Sequence, residues 1–199
     1  MLTRLFKFLV PAVIAAAAVV FTAHSVQAQD APRVKFATTA GDFVVELYPD
    51  KAPKTVENFL QYVNEKHYDG TIFHRVIESF MVQGGGFDAS YNQKKTRAPV
   101  VHEGREALAK GGPRNTSGTL AMARTNDPQS ATAQFFINVA DNTRLDPTEQ
   151  QFGYTAFGKV VAGMDVVQRI RTSPTGAGGP FPSDVPKTPI VINSATLVK

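Results

Sequence analysis

Residues 73–77 read Phe-His-Arg-Val-Ile, and residues 80–85 read Phe-Met-Val-Gln-Gly-Gly. Both segments are short apolar runs of the kind that form β-strands, and the first carries Arg75 at its centre. An arginine is costly to bury unless it has a partner or a function. The alternative is an arginine on the solvent face of an edge strand, and this segment alone is compatible with either interpretation.

Three glycines at 84–86 extend the second run. They lead into Phe87 and polar residues rather than into a helix, and they lack the spacing of both nucleotide-binding glycine motifs. A phosphate-binding loop is therefore not indicated. We expect instead that these glycines allow a positive φ and a close approach to the backbone.

A hairpin and two helices are predicted around these strands. Apolar residues alternate or cluster in 33–38 and 42–47, and the intervening Thr39-Ala40-Gly41 favours a β-hairpin. Apolar residues at positions i, i+3, i+4 and i+7 predict a helix over 53–65. A second, short helix is predicted over 163–171, because an acid near its start and arginines near its end suit the helix dipole.

The remaining chain is predicted to form short strands and two long connections. The further strands are predicted at 71–77, 80–83, 119–123, 134–139, 154–161 and 189–198. Segments 87–117 and 172–188 are predicted to be long loops, which are either functional or simply solvated connections. Many short strands and only two helices indicate an antiparallel barrel or sandwich capped by helices.

The first 28 residues have the pattern of a cleaved secretory signal peptide. Arg4 and Lys7 give a positive start, an apolar run follows at 9–23, and small residues precede a cleavage position after Ala28. The alternative is an uncleaved membrane anchor, but the run is shorter than the roughly 20 residues that a bilayer span requires. Residues 29–199 are therefore predicted to form one exported domain.

Composition narrows the chemistry of this domain. The chain has no cysteine, which excludes a disulfide scaffold, a thiolate metal site and a cysteine nucleophile. Its hydrophobic fraction of 43% is too high for a disordered chain. Arg4 and Lys7 account for two of the four net positive charges, so the rest of the chain carries +2, which does not indicate nucleic-acid binding.

The common catalytic and metal-binding patterns are missing from the sequence. No Gly-x-Ser-x-Gly motif occurs, and residues 116–118 are interpreted as a turn rather than as a nucleophile. His67, His74 and His102 are scattered and form no His-x-x-x-His pair. Neither a metal nor another cofactor is predicted. A small basic cluster at Lys94, Lys95 and Arg97 is interpreted as a solvated loop, with an anionic partner as the alternative.

Taken together, the segments at 73–77 and 80–85 resemble the signature of the cyclophilin family of peptidyl-prolyl cis–trans isomerases. Further blocks match in the expected order: Gln134-Phe-Phe-Ile137, Phe157-Gly-Lys-Val160 and Gly163-Met164. The similarity extends over residues 33–198 and is greatest to the bacterial periplasmic branch. The resemblance implies a mainly β fold, an eight-stranded antiparallel β-barrel capped by two α-helices.

The resemblance also implies the site residues. Arg75 matches the catalytic arginine of the family. The implied proline pocket consists of Phe80, Met81, Phe136 and Leu145. The implied polar neighbours are Gln83 and Gln134, and the implied peptide-aligning backbone is that of Ala123, Arg124 and Thr125.

Two positions depart from the pattern of many eukaryotic members. Arg144 stands where they have Trp, and Tyr154 stands where they have His. Tyr154 is expected to close the pocket and to donate a hydrogen bond. The missing Trp argues against tight cyclosporin binding but not against isomerase activity. Residues 94–112 do not match the family pattern.

The expected function is catalysis of rotation about X–Pro bonds in exported proteins. The expected partners are proline-containing unfolded or partly folded polypeptides. No binding to nucleic acid is expected, nor to a membrane after signal cleavage, and the protein is expected to be a monomer. Arg75 is expected to donate to the prolyl nitrogen in the twisted state. The alternative is a non-catalytic chaperone module that binds proline-containing peptides in the same groove.

Overall fold

The predicted hairpin around Thr39-Ala40-Gly41 begins the fold. In the computed structural model, which describes residues 31–198, β1 (Arg33–Thr38) pairs antiparallel with β2 (Gly41–Leu47). Every second residue of both strands is buried, as the period of a strand with one covered face requires. The hairpin therefore gives one face to the interior and the other to solvent.

Eight strands close into an antiparallel barrel. The remaining strands are β3 (Thr71–Ile77), β4 (Met81–Asp88), β5 (Thr119–Met122), β6 (Phe135–Asn138), β7 (Ala156–Ala162), β8 (Thr175–Gly178), β9 (Phe181–Pro186) and β10 (Val191–Val198). The barrel order is β1-β10-β3-β4-β6-β5-β7-β2, while β8 and β9 form a separate two-stranded hairpin. The prediction of an eight-stranded antiparallel barrel is confirmed.

Two helices of two or more turns pack against this barrel, as predicted. They are α1 (Pro53–Asn64) and α3 (Met164–Arg171), and the apolar face of each joins the barrel core. A third, short helix, α2 (Gly104–Ala109), lies in a segment that was predicted to be a loop. None of the described helices is long and apolar enough to cross a membrane.

The two segments predicted as long loops are partly ordered into regular structure. Residues 87–117 contain the end of β4 and helix α2, and residues 172–188 contain β8 and β9. The second segment is rich in glycine and proline and shows no alternation of apolar side chains, so its two strands cannot be predicted from the sequence. The prediction of continuous loops is therefore wrong in both segments. The predicted leader, residues 1–28, lies outside the described residues.

Aromatic rings fill the interior of the barrel. Phe36 stacks on Phe43 with ring centroids 4.9 Å apart, and Phe59 packs edge-on against Phe135 and Phe157 at 5.8 and 5.2 Å. All five side chains are at most 1% exposed. The interior is thus a packed core, and a cavity for a ligand has to form on the outer surface.

Candidate active site

A second, smaller apolar cluster lies on the outside of the barrel wall. It forms because neighbouring residues of one strand point to opposite faces. On β6, Phe135 joins the interior core while Phe136 joins the outer cluster, and on β4 Val82 and Met81 divide in the same way. The outer cluster is completed by Ala121, Ala156, Ile77, Phe80, Ala123, Leu145 and Tyr154.

This outer cluster surrounds a small cavity of about 130 Å³. Its lining residues are Arg75, Phe80, Met81, Gln83, Ala123, Arg124, Phe136, Leu145 and Tyr154. These are nine of the eleven site residues predicted from the sequence, and they lie up to 79 positions apart in the chain. The other two, Thr125 and Gln134, line an adjoining cavity. The structure therefore places every predicted site residue at one location, with an apolar floor and polar groups at its edge.

Arg75 projects over the cavity from a central strand. Strand β3 pairs with both β10 and β4, so the alternative interpretation of an arginine on an edge strand is wrong. The pairing places Arg75 directly opposite Gln83, and its Nη1 lies 4.0 Å from the sulfur of Met81. No carboxylate among the described residues forms an ion pair with Arg75. Its half-buried charge is therefore available to a ligand.

A pair of glutamines borders the cavity. Gln83 Nε2 donates a hydrogen bond of 2.9 Å to Gln134 Oε1. Gly86 makes this arrangement possible, because a Cβ atom there would lie 2.6 Å from three atoms of the Gln134 side chain. The positive φ expected in the glycine run is confirmed at Gly85, where φ is 84°. The close approach occurs at Gly86.

An adjoining cavity of about 330 Å³ extends the site along the surface. It shares Gln83, Ala123 and Arg124 with the first cavity, and its other lining residues are Gln93, Thr96, Thr125, Ser130, Thr132 and Gln134. Amides and hydroxyls dominate this lining. An extended peptide could thus place one small apolar side chain in the first cavity and a neighbouring residue against these polar groups.

Sequence reasoning missed a buried polar network behind the site. Asn142 Nδ2 donates to the carbonyl oxygen of Phe80 and to Asn138 Oδ1, both at 2.8 Å. Asn138 Nδ2 in turn donates to Asn115 Oδ1 and Thr119 Oγ1. Asn138 is fully buried, so its bonds are made in a low-dielectric interior where they are most effective. The network fixes the segment that carries Phe80, and no motif in the sequence indicates it.

The basic cluster at Lys94, Lys95 and Arg97 is largely engaged within the protein. Lys94 Nζ donates to the carbonyl oxygens of His67 and Asp69, and Arg97 forms an ion pair with Glu65. This engagement argues against a surface that attracts an anionic partner.

The electrostatics of the site are set by burial. His74, adjacent to Arg75 in β3, is 2% exposed, and burial lowers its pKa to about 4, with the Arg75 charge acting in the same direction. His74 is thus neutral at neutral pH. Among residues 31–198, no group of three or more His, Cys, Asp or Glu side chains is arranged to hold a metal ion.

Comparison with known proteins gives one consistent result. The family model described as cyclophilin type peptidyl-prolyl cis-trans isomerase/CLD matches residues 33–197. The chain is 53% identical over 168 residues to peptidyl-prolyl cis-trans isomerase cyp18 of Streptomyces antibioticus, and the alignment covers 83% of this chain and 98% of that protein. It is 51% identical over 167 residues to peptidyl-prolyl cis-trans isomerase B of Escherichia coli, with 82% and 98% covered.

Solved structures resemble the fold at lower identity. A cyclophilin type peptidyl-prolyl cis-trans isomerase of Cryptosporidium parvum matches with a TM-score of 0.64 at 23% identity, over 85% of this chain and 98% of that one. A second structure, determined in the presence of the dipeptide Ala-Pro, matches with a TM-score of 0.63 over 84% and 99% of the two chains, also at 23% identity. These likenesses support the barrel architecture described above.

Proposed function

Because this chain belongs to the cyclophilin-type peptidyl-prolyl cis–trans isomerases, we propose that its outer cavity binds a prolyl ring and that Arg75 is the catalytic residue. The observation that carries the proposal is the position of a half-buried arginine, without an ion-pair partner among residues 31–198, above a small cavity with an apolar floor. A prolyl ring is apolar and compact and suits such a cavity. The peptide on either side of it would extend across the surface.

The reaction itself requires neither a nucleophile nor a metal. Rotation about a peptide bond is opposed by a barrier of about 18–20 kcal/mol, because resonance gives the C–N bond partial double-bond character. For X–Pro bonds both isomers are populated and exchange uncatalysed in roughly tens to hundreds of seconds. A catalyst has to stabilise the twisted state, in which the resonance is broken.

Arg75 has the chemistry for this task. In the twisted state the prolyl nitrogen becomes pyramidal and gains a lone pair, to which a guanidinium N–H donates. This interaction is absent from the planar ground state, so it lowers the barrier instead of tightening substrate binding. Arginine remains charged at all relevant pH values and offers several donors in a fixed geometry.

One hydrogen bond from Arg75 accounts for only part of the required barrier reduction, and the cavity has to supply the rest. A 10⁴-fold acceleration requires about 5.5 kcal/mol, whereas one hydrogen bond to a charged group contributes about 1.5–3 kcal/mol. The remainder comes from holding the prolyl ring against Phe80, Met81 and Phe136 while the chain before it rotates. In this proposal Gln83, which pairs directly opposite Arg75, binds the carbonyl group that rotates.

We further propose that the natural substrates are unfolded or partly folded exported proteins, and that the enzyme works as a monomer in the periplasm. Support for export comes from the signal-peptide pattern of residues 1–28. A chain without cysteine also needs no disulfide chemistry in an oxidising compartment. Cell fractionation tests this proposal, and recovery of the uncleaved chain in the cytoplasm would contradict it.

The catalytic role is tested by NMR exchange spectroscopy on an X–Pro peptide. We expect Arg75→Ala to slow the catalysed exchange at least tenfold, from the loss of one charged hydrogen bond, while peptide affinity changes little. Arg33→Ala, which removes an exposed arginine of β1, is the matched control and should exchange at the wild-type rate. Equal rates for wild type and Arg75→Ala, together with retained peptide binding, would favour the alternative of a non-catalytic peptide-binding chaperone.

A further inference from the structure

The side chain of Arg124 lines both cavities, yet each of its three nitrogens donates to a backbone carbonyl group of the protein. Nε and Nη2 donate to the carbonyl oxygen of Gly153 at 3.0 and 2.8 Å, and Nη1 donates to the carbonyl oxygen of Thr125 at 2.8 Å. All three nitrogens of the guanidinium group are thus engaged by the backbone. These bonds hold the guanidinium group against the protein backbone.

The carbonyl group of Gly153 is an unusual point of convergence. Besides the two bonds from Arg124, it lies 3.2 Å from His102 Nε2. The other ring nitrogen of His102 accepts from the N–H of Gly104 at 3.2 Å, so the neutral ring carries its proton on Nε2 and donates to Gly153. Burial lowers the pKa of His102, which favours this neutral form.

Gly153 links the two residues that close one side of the proline cavity. Its φ is 62°, and a Cβ atom there would lie 2.5 Å from the carbonyl oxygen of Leu145, so the chain folds tightly back at this point. The next residue, Tyr154, donates its backbone N–H to the same Leu145 oxygen at 2.9 Å. A displacement of Gly153 would therefore move Leu145 and Tyr154 together.

The ring of Tyr154 is held between a cation and an aromatic ring. The guanidinium carbon of Arg124 lies 4.6 Å from its centroid, within the range of a cation–π interaction. The ring of Phe136 meets it edge-on at 5.5 Å and 81°. Arg124 thus fixes Tyr154 twice, through the preceding carbonyl group and through the ring itself.

We propose that Arg124 is a positioning residue of the isomerase. Its side chain holds Gly153 and Tyr154, and thereby the Tyr154–Leu145 wall of the proline cavity, in place. It acts through this wall and makes no charged contact with the substrate. The proposal rests on the proposed function of the cavity and adds to it the residue that gives the cavity its shape.

A second arginine provides the matched control, because it forms hydrogen bonds to the same loop that contains Gly153, at another point. Arg105 donates through Nε and Nη2 to the carbonyl oxygens of Thr148 and Glu149 at 2.9 and 3.1 Å, and its guanidinium lies 4.7 Å from the ring of Phe152. The chemistry repeats that of Arg124, but Arg105 does not line the proline cavity.

The test is a double-variant cycle on an X–Pro peptide, with kcat and KM measured separately and peptide affinity measured by NMR titration. The wall holds the prolyl ring in the ground state and in the twisted state alike, so its loss should raise KM more than it lowers kcat. We expect Arg124→Gln to lower kcat/KM about tenfold, and Arg105→Gln to change it less than about twofold. In the background of Tyr154→Ala, Arg124→Gln should have less than about a twofold further effect.

Three results would overturn the proposal: the same fold-loss from Arg124→Gln with and without Tyr154, no loss at all, or an equal loss from Arg105→Gln. If Arg124→Gln fails to fold, Arg124→Lys retains the charge on a single donor nitrogen, and should show a smaller rise in KM that again vanishes in the Tyr154→Ala background. A wild type that binds the peptide without catalysis would contradict the proposed function, but the titrations would still decide the role of Arg124.

Discussion

Gln83 and Gln134 face each other across the boundary between the two cavities, and one hydrogen bond of 2.9 Å joins their side chains. Gln134 precedes β6 and Gln83 lies in β4, so the bond also ties two neighbouring strands. Since one of the two N–H groups of Gln83 Nε2 donates to Gln134, the orientation of the Gln83 amide is fixed. Each glutamine thus determines which amide atoms of the other remain free to bind a substrate.

Gly86→Ala tests this relationship. A methyl group there would overlap the Gln134 side chain, because the Cβ position is 2.6 Å from its Cγ, Cδ and Nε2 atoms. We expect a loss of about 1–3 kcal/mol in the free energy of unfolding, typical of overpacking, and a several-fold loss of kcat/KM. The double variant Gly86→Ala/Gln134→Ala should recover the stability but not the activity. Gly176→Ala, whose nearest contact is the flexible end of Lys187 at 3.5 Å, is the control in urea unfolding.

Glu103, which lies far from α1 in the sequence, caps the N-terminus of this helix, and its removal should lower the free energy of unfolding. Its carboxylate accepts from the backbone N–H groups of Lys54 and Thr55 at 3.1 and 2.7 Å and from the Thr55 hydroxyl at 2.7 Å, while Ala52 at the N-cap offers no side-chain acceptor. We expect Glu103→Ala to lower the free energy of unfolding by about 2–3 kcal/mol, and Glu103→Gln by less.

Urea unfolding measures this difference, and Glu57→Ala on the exposed face of α1 is the control. Equal stabilities of Glu103→Ala and Glu57→Ala would show that water replaces the cap without cost.

His74 should make the protein sensitive to mild acid. Burial lowers its pKa from 6.5 to about 4 in the folded state, so between these pH values the unfolded chain binds a proton that the folded chain does not. Stability is therefore complete above pH 6.5 and falls as the pH decreases towards 4, by up to about 3 kcal/mol from this residue. Burial lowers the pKa values of His67 and His102 as well, so they act in the same direction.

Replacement of His74 by Phe isolates its contribution. We expect the free energy of unfolding of His74→Phe to depend less steeply on pH between 6.5 and 4 than that of the wild type, as measured by urea titrations at several pH values. A His67→Phe variant serves for comparison, since it should remove a different part of the same slope. Identical slopes for His74→Phe and wild type would contradict a neutral His74 in the folded protein.

The difference between what the sequence predicts and what it does not lies in the range of the interactions. The β3–β4 segment and the two main helices follow from local sequence patterns, which leave an antiparallel barrel and a sandwich open. The eight-stranded barrel and the site residues follow from the resemblance. The cap by Glu103 on Thr55 joins residues 48 positions apart, and the bonds from Arg124 to Gly153 join residues 29 positions apart. Such partners meet only after the barrel has closed, so neither a motif nor a period reveals them.

The hairpin β8–β9 illustrates the same limit, and Phe181 gives it a testable role. The Phe181 ring packs 5.4 Å from His74 and edge-on against Phe87 at 5.0 Å, so the hairpin covers the outer face of β3 beside Arg75.

We expect Phe181→Ala to admit water to His74, because burial is the main cause of its low pKa. The NMR titration of the His74 ring should then move towards 6.5, and the free energy of unfolding should fall by about 1–3 kcal/mol. Phe181→Leu, which keeps an apolar cover, should leave the titration near 4. An unchanged His74 titration in Phe181→Ala would show that the hairpin is not what shields this histidine, and that strand β3 and Phe87 suffice.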